Sequence, residues 1–116
     1  MGFLPKNVVM ATATYVQKGE NIDYTATAAV AYTEVVPLAA CVGVALEPIE
    51  KGNTGTLTLT GVYDLPAATS LAIDVGDKVY WNAKNNNIDK TDTGIPAGIA
   101  VAAKTEAGTV ARVKIG

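Results

Sequence analysis

The sequence predicts an all-β fold: a small barrel or sandwich of about eight short strands with Gly/Asn-rich turns and an extended N-terminal arm. Three observations carry that expectation. Val, Thr, Ile and Tyr dominate the ordered-looking runs, and each run is short and bounded by Gly, Pro, Asn or Asp. Thr56-Leu57-Thr58-Leu59-Thr60 alternates strictly between polar and apolar, the period of a half-buried strand. No stretch of about ten residues repeats its apolar positions with helical period, so βαβ units are excluded. The 116 residues suffice for one domain with its own core. They divide into an arm or edge segment over residues 1–14 and a single β domain over 15–116.

Taken in order, Val8 to Val16 is the first candidate strand, and Lys18-Gly19-Glu20-Asn21 is a turn into a short strand, Ile22 to Thr25. Ala26 to Ala31 has the best helix former, but its neighbours are β-branched or aromatic and three turns do not fit. An irregular or extended arm is expected there. Val42 to Leu46 is a strand of small residues that stops near Pro48, and Glu50 to Gly55 is a turn. In the alternating Thr56–Thr60 strand, Leu57 and Leu59 face inward. Gly61 to Pro66 extends or bends that strand, and Pro66, which has no N–H to give a ladder, ends it or marks an edge.

Ala67 to Ala72 has room for one short helical turn. Val75 to Lys78 is a turn into Val79-Tyr80-Trp81-Asn82, and Lys84-Asn85-Asn86-Asn87 is a hairpin turn, because Asn tolerates the left-handed region. Ile88 to Lys90 returns from it, and Gly98–Ala102 pairs with Thr109–Ile115. An internal echo supports the closing pair. Gly43-Val44-Ala45-Leu46 before Gly55-Thr56-Leu57 resembles Gly98-Ile99-Ala100-Val101 before Gly108-Thr109-Val110, as two similar hairpins of one barrel would.

Composition removes many chemistries. Hydrophobic residues are 49% of the chain and charged ones 17%, against a usual ~25%, and the net charge is -2. With no histidine there is no imidazole base, His-based triad or His metal ligand. A single cysteine, Cys41, closes no intramolecular disulfide and builds no zinc or iron–sulfur site; it reads as buried filler. Nine basic residues against eleven acids make a poor phosphate-binding surface, so no direct nucleic-acid partner is expected. The opening residues lack a basic region followed by a long apolar one. The longest uncharged apolar run, Val35 to Leu46, is short and carries Pro37 and Gly43, so no membrane partner and no export are expected.

The remaining candidates for chemistry read more simply as structure. Asp74 and Asp77 flank Val75-Gly76 in a turn, where acids cap loops rather than oppose each other across a cleft. Glu47 and Glu50 lack the oxygen-rich spacing of a calcium loop. Gly52-Asn53-Thr54-Gly55-Thr56 has the glycines of a phosphate loop without its Gly-Lys-Ser/Thr close or a following helix. Trp81 and Tyr80 alternate on one strand. The simpler arrangement has Trp81 filling the interior and Tyr80 at a rim or interface; the other would stack a base or sugar on them. No enzyme, no catalytic residue, no cofactor and no metal are expected.

What remains is surface. The threonine row Thr56, Thr58, Thr60 is polar but uncharged, and the Ala-rich segments offer little to solubility. Such a surface suits a chain covered by copies of itself or by a larger assembly. The leader carries Phe3, Leu4, Val8, Val9 and Met10, which add an edge strand or order upon a partner.

Several segments also resemble a known family. They are Tyr15-Val16-Gln17-Lys18-Gly19-Glu20-Asn21-Ile22-Asp23-Tyr24, Val42 to Leu46, Ile49-x-x-Gly52-x-x-Gly55, Gly61 to Pro66, Gly76 to Trp81, and Gly98 to Ala102 before the C-terminal strand. In this order they resemble small tailed-phage and prophage proteins of the uncharacterised family DUF2190, some of which are capsid decoration, or cement, proteins. The chain departs from the family in the longer leader before Tyr15. An older recombinase label on some relatives does not fit, because the chain has no Walker motif.

The resemblance implies a β-rich homotrimer, made in the host cytoplasm, that binds the outer surface of the mature capsid in the virion and ties neighbouring major capsid proteins together. The residues expected to contact the capsid or a neighbour are Phe3, Leu4, Val8, Val9, Tyr15 and Tyr24. Tyr63, Leu65 and Tyr80 are expected at the interface between subunits. The alternative is a head-fibre base or a host-glycan-binding surface module using Trp81 and Tyr80.

Overall fold

A computed structural model describes residues 11–116, and among them nine strands form two antiparallel sheets with no helix. The smaller sheet holds β1 (Asn21–Thr25), β2 (Val35–Pro37), β3 (Val42–Ala45) and β4 (Thr54–Thr58) in the order β1-β4-β3-β2. The larger holds β5 (Gly61–Pro66), β6 (Lys78–Asn82), β7 (Asn87–Asp89), β8 (Ile95–Ala100) and β9 (Val110–Ile115) in the order β5-β9-β8-β6-β7. Period-two alternation decides which face each strand turns inward. In β9, Ala111, Val113 and Ile115 are buried while Val110, Arg112 and Lys114 are exposed.

The larger core lies between the sheets. Val42 and Val44 of β3 meet Leu65, Val79, Trp81, Ile88, Val113 and Ile115 from the larger sheet. Burying side chains of this size drives folding at about 25 cal/mol per Å² of apolar surface. A second cluster lies on the other face of the smaller sheet, where Ala26, Val30 and Ile49 cover Val36, Ala45 and Leu57. β3 is therefore buried on both faces, which explains its run of small residues. The Ala-rich segment supplies this cover as an extended arm. Val30 bridges Ile49, with reciprocal N–O distances of 2.8 Å.

The sheets form an open sandwich, not a closed barrel. The larger sheet curls until its two edges approach, and Ala67 bridges Ile88 in parallel while the Ala68 N–H donates to the Ile88 carbonyl at 2.8 Å. One bridge does not make a ladder, so both edge strands stay open along most of their length.

Several expectations need correction. The first strand expected over Val8–Val16 begins outside the described residues, as do Phe3, Leu4, Val8 and Val9, and Ala11 to Val16 form no strand. Gly61–Pro66 does not continue the alternating threonine strand, because the chain changes sheets between Thr58 and Gly61. The Leu59 N–H donates to the Glu20 carbonyl at 2.7 Å, and Gly61 takes φ +130° to open β5. Leu59 is consequently half-buried beyond the strand end, and Thr58 is 6% exposed, its hydroxyl donating to the Glu20 and Thr60 carbonyls. Ala67–Ala72 makes a bridge and bends instead of a helical turn. Cys41 is half-buried in the β2–β3 turn.

The echoed hairpins are both antiparallel neighbours, one in each sheet, with different registers. Ala45 faces Leu57, whereas Ala100 faces Val113. The asparagine turn forms as expected. The Asn82 side-chain oxygen accepts the Lys84 and Asn85 N–H groups at 3.0 and 3.1 Å, and Asn86 takes φ +53°.

Candidate functional site

Surface, rather than a catalytic cleft, is what this fold presents. The outer face of the larger sheet carries the residues that alternate with its core. These are Val62 and Asp64 on β5, Val110, Arg112 and Lys114 on β9, Pro96 and Ile99 on β8, and Lys78 and Tyr80 on β6. Val62 and Val110 are 55% and 51% exposed. Across β5–β9, Arg112 Nε lies 2.9 Å from Asp64 Oδ1 and Nη2 lies 3.3 Å from Oδ2. That hydrogen-bonded guanidinium holds the Asp64 carboxyl below its ordinary range and raises the Arg112 value in turn. Lys78, Tyr80, Pro96 and Ile99 line a shallow groove of about 310 Å³ on the same sheet.

The acids singled out by sequence serve the backbone. The Asp74 N–H donates to the Asp77 carboxylate at 2.8 Å, and the Asp77 N–H donates to the Asp74 carbonyl, a loop cap closed on itself. The Asp74 N–H, and then Lys90 at 3.3 Å, holds the Asp77 carboxyl below its ordinary range. Glu47 accepts the Thr56 N–H at 3.3 Å. The glycine-containing turn Gly52–Gly55 feeds β4. Among the described residues no group of three or more metal-ligating side chains converges, and no helix is long and apolar enough to cross a membrane.

Trp81 is 4% exposed and part of the core, so it has no face to offer a sugar. It touches a cavity of about 370 Å³ whose lining, apart from Ile95, is otherwise of small and polar residues, among them Asn82, Asp89 and Thr91. Its indole N–H has no hydrogen-bond partner among the described residues.

Before β1 the chain is of another kind. Every residue from Ala11 to Glu20 is exposed, with Tyr15 at 80% and Val16 at 83%, and no strand pairs with them among the described residues. The Gln17 side chain donates to the Asn21 carbonyl at 2.8 Å, and the Glu20 carbonyl accepts the Leu59 N–H and the Thr58 hydroxyl, so the polar contacts with the sheet gather at the end of the segment nearest β1. An exposed Tyr-Val pair beside an open sheet edge is the pattern of a surface completed by a partner.

A family model described as phage cement protein matches residues 16–115, nearly the whole chain. The chain belongs to the phage cement protein family. No curated protein and no solved structure matches it. The cement family is the one the motifs pointed to, although the DUF2190 label is not part of this match. Membership puts a cement protein's work at the phage capsid, as a decoration of the shell.

In this cement-family chain the expected contact residues fall into different places. Tyr15 stands exposed, and Tyr24 is half-buried against the second core cluster. Tyr63 is half-buried against the main core, and Tyr80 is half-buried on the outer face of the larger sheet. Leu65 is 3% exposed and packs inside the core, so in this fold it is not presented to another chain. Sequence reasoning passed over Val62, Val110 and Ile99 on the outer face. Their signal was present in the strict alternation of Val110 to Ile115 with two basic residues, which marks a strand whose other face is open.

Proposed function

We propose that this chain is a cement protein that binds the outside of a mature tailed-phage head and clamps neighbouring major capsid proteins, working as a homotrimer. One observation carries the reading beyond family membership. The segment before β1 holds Tyr15 and Val16 at 80% and 83% exposure, outside both core clusters of the described residues. Fixing such a segment costs conformational entropy, and the surface of the shell repays it. The capsid contacts then run from the leader residues Phe3, Leu4, Val8 and Val9 through Tyr15. Tyr80, on the outer face, lies toward a neighbouring subunit.

The mechanism is one of assembly rather than chemistry. A symmetric oligomer touches several shell subunits at once, so each released contact re-forms before the others let go, and dissociation is slow. A protein that binds the mature lattice and no other state stabilises that lattice by mass action. Closed symmetry also covers strand edges that would otherwise recruit other chains.

The test mixes the purified chain with expanded, decoration-free heads. Binding that saturates at a fixed copy number, together with a higher temperature of head disruption, supports the clamp. Removing residues 1–14 and changing Tyr15 and Val16 to Ser should leave the β domain folded and lower head binding at least tenfold. Full binding by that variant overturns the assignment of the contact segment. A wild-type chain that ignores mature heads overturns the function.

A further inference from the structure

The larger sheet's outer face carries a row of charge and apolar surface that crosses four strands. Register places Lys78 opposite Ile99, Ile99 opposite Lys114, and Lys114 opposite Val62. Directly opposed residues point to the same face, so the four side chains form one row across β6, β8, β9 and β5. Lys78 and Lys114 are exposed, as are Ile99 at 41% and Val62 at 55%. The ion pairs of the described residues are Lys90–Asp77 and Arg112–Asp64; neither row lysine pairs with an Asp or Glu among them, and Lys114 donates to the Gly116 main-chain oxygen at 3.1 Å.

The smaller sheet presents the opposite charge. Residues 11–60 carry five acids and two lysines. Asp23 of β1 lies opposite Thr56 of β4, and Glu47 holds the Thr56 N–H from the other side. Asp23, Thr25 and Thr54 are exposed, and the last two hydroxyls meet at 2.9 Å, making a polar platform with two acids that no cation pairs among the described residues. In the first row Lys78 and Lys114 flank Ile99 on the strand between them; in the second, Asp23 of β1 faces Thr56, while Glu47, from the β3–β4 connection, reaches the Thr56 N–H with its carboxylate. One strand spacing, about 4.8 Å, separates neighbours in the lysine row and separates Asp23 from Thr56.

We infer that the two rows are the two halves of one interface between copies of this chain. Lys78 and Lys114 of one copy meet Asp23 and Glu47 of the next, with Ile99 over Thr56. The halves are different surfaces, so the contact is head-to-tail and closes into a ring when the rotation per copy allows. This inference rests on the reading that copies of the chain gather on a shell, and it names the surfaces that join them.

The test is the mass in solution by light scattering, first in ~0.1 M salt and then in ~1 M, where the Debye length falls from about 10 to about 3 Å. More than one chain at low salt, falling toward one at high salt, is expected. Lys78→Glu with Lys114→Glu should give single chains, and so should Asp23→Lys with Glu47→Lys; all four changes in one chain should restore the assembly. Circular dichroism checks each fold, and Lys78→Gln with Lys114→Gln serves if a reversal unfolds the sheet. A wild type that is a single chain at low salt overturns the interface, as does an assembly that neither reversal weakens. A single chain that still saturates mature heads overturns this interface while leaving the capsid reading intact. An assembly that responds as expected but ignores heads does the reverse.

Discussion

Gly98 lies against the main-chain carbonyl of Lys114, in the place where a β-carbon would have to stand. Its φ of +144° is also one that side chains rarely adopt, and it sits beside the register shift between Val79 and Tyr80. The β8–β9 approach, and with it the position of Lys114 on the outer face, depends on this residue having no side chain.

Gly98→Ala is therefore expected to destabilise the fold. The backbone conformation alone costs ~1–3 kcal/mol, and the overlap with the carbonyl adds to it. Urea unfolding measures the loss. A midpoint equal to that of the wild type would mean the strands separate there at no cost.

Trp81 offers a contrast between size and polarity. Trp81→Ala opens the main core and should cost ~3–5 kcal/mol. Trp81→Phe keeps most of the ring and removes an indole N–H that has no partner, so a loss below ~1.5 kcal/mol is expected. Thermal unfolding of the two variants side by side separates the terms. Equal losses would show that the indole nitrogen matters to the core.

Lys104 is 6% exposed, and its ammonium group donates to the Leu71 and Thr105 carbonyls at 2.5 and 3.0 Å. Ile73 and Lys104 also form a bridge, so this side chain pins the β5–β6 connection to the β8–β9 connection. Lys104→Met keeps the stem and removes the donors, with an expected cost of ~1–3 kcal/mol. Faster amide exchange in residues 70–74 would locate the effect. Unchanged exchange there would mean that the bridge suffices without the ammonium group.

The acid limb of stability follows from Asp64 and Asp77. Both carboxyls are held below the ordinary value of 3.8, Asp64 chiefly by Arg112 and Asp77 chiefly by the Asp74 N–H. A depressed carboxyl stabilises the fold fully above its unfolded value and loses that contribution as pH falls through the folded one. Arg112→Gln should thus lower stability at neutral pH and converge with the wild type in acid. A gap between the two that persists unchanged at pH 2 would assign the loss to packing of the arginine stem.

Much of this fold was legible because period and turn chemistry are local. The asparagine turn, the Val79–Asn82 strand with Trp81 inward, and the Gly98–Ala102 and Thr109–Ile115 pairing all follow from neighbours in the chain. The sheet change at Thr58–Gly61 was not legible, because a run of Thr, Leu, Gly and Val reads as one strand whichever sheet takes its second half. Leu59 was expected inward for the same reason, since strict alternation cannot say where the ladder stops. Leu65 and Tyr63 show how far the surface was readable. An apolar residue on a strand beside polar ones reads equally as interface or interior, and only the register with Ala111 turns Leu65 into the core. The cement family was readable from ordered motifs, whereas the two charged rows depend on which strands become neighbours.

Chain order has a consequence for how the molecule comes off the ribosome. β9 is the last of the nine strands and sits between β5 and β8, so Tyr63 has no partner until Val113 has been made. β1, β2, β3 and β4 can pair among themselves much earlier, yet Val42 and Val44 then face water instead of Val113 and Ile115. Folding of this kind is dominated by distant pairings and belongs to the slow range, about milliseconds to seconds. The nascent chain thus carries an uncovered apolar sheet through about the second half of its synthesis, and its low charge gives that intermediate little protection from self-association. High-level expression should be limited by this stage, before any shell is available to receive the finished protein.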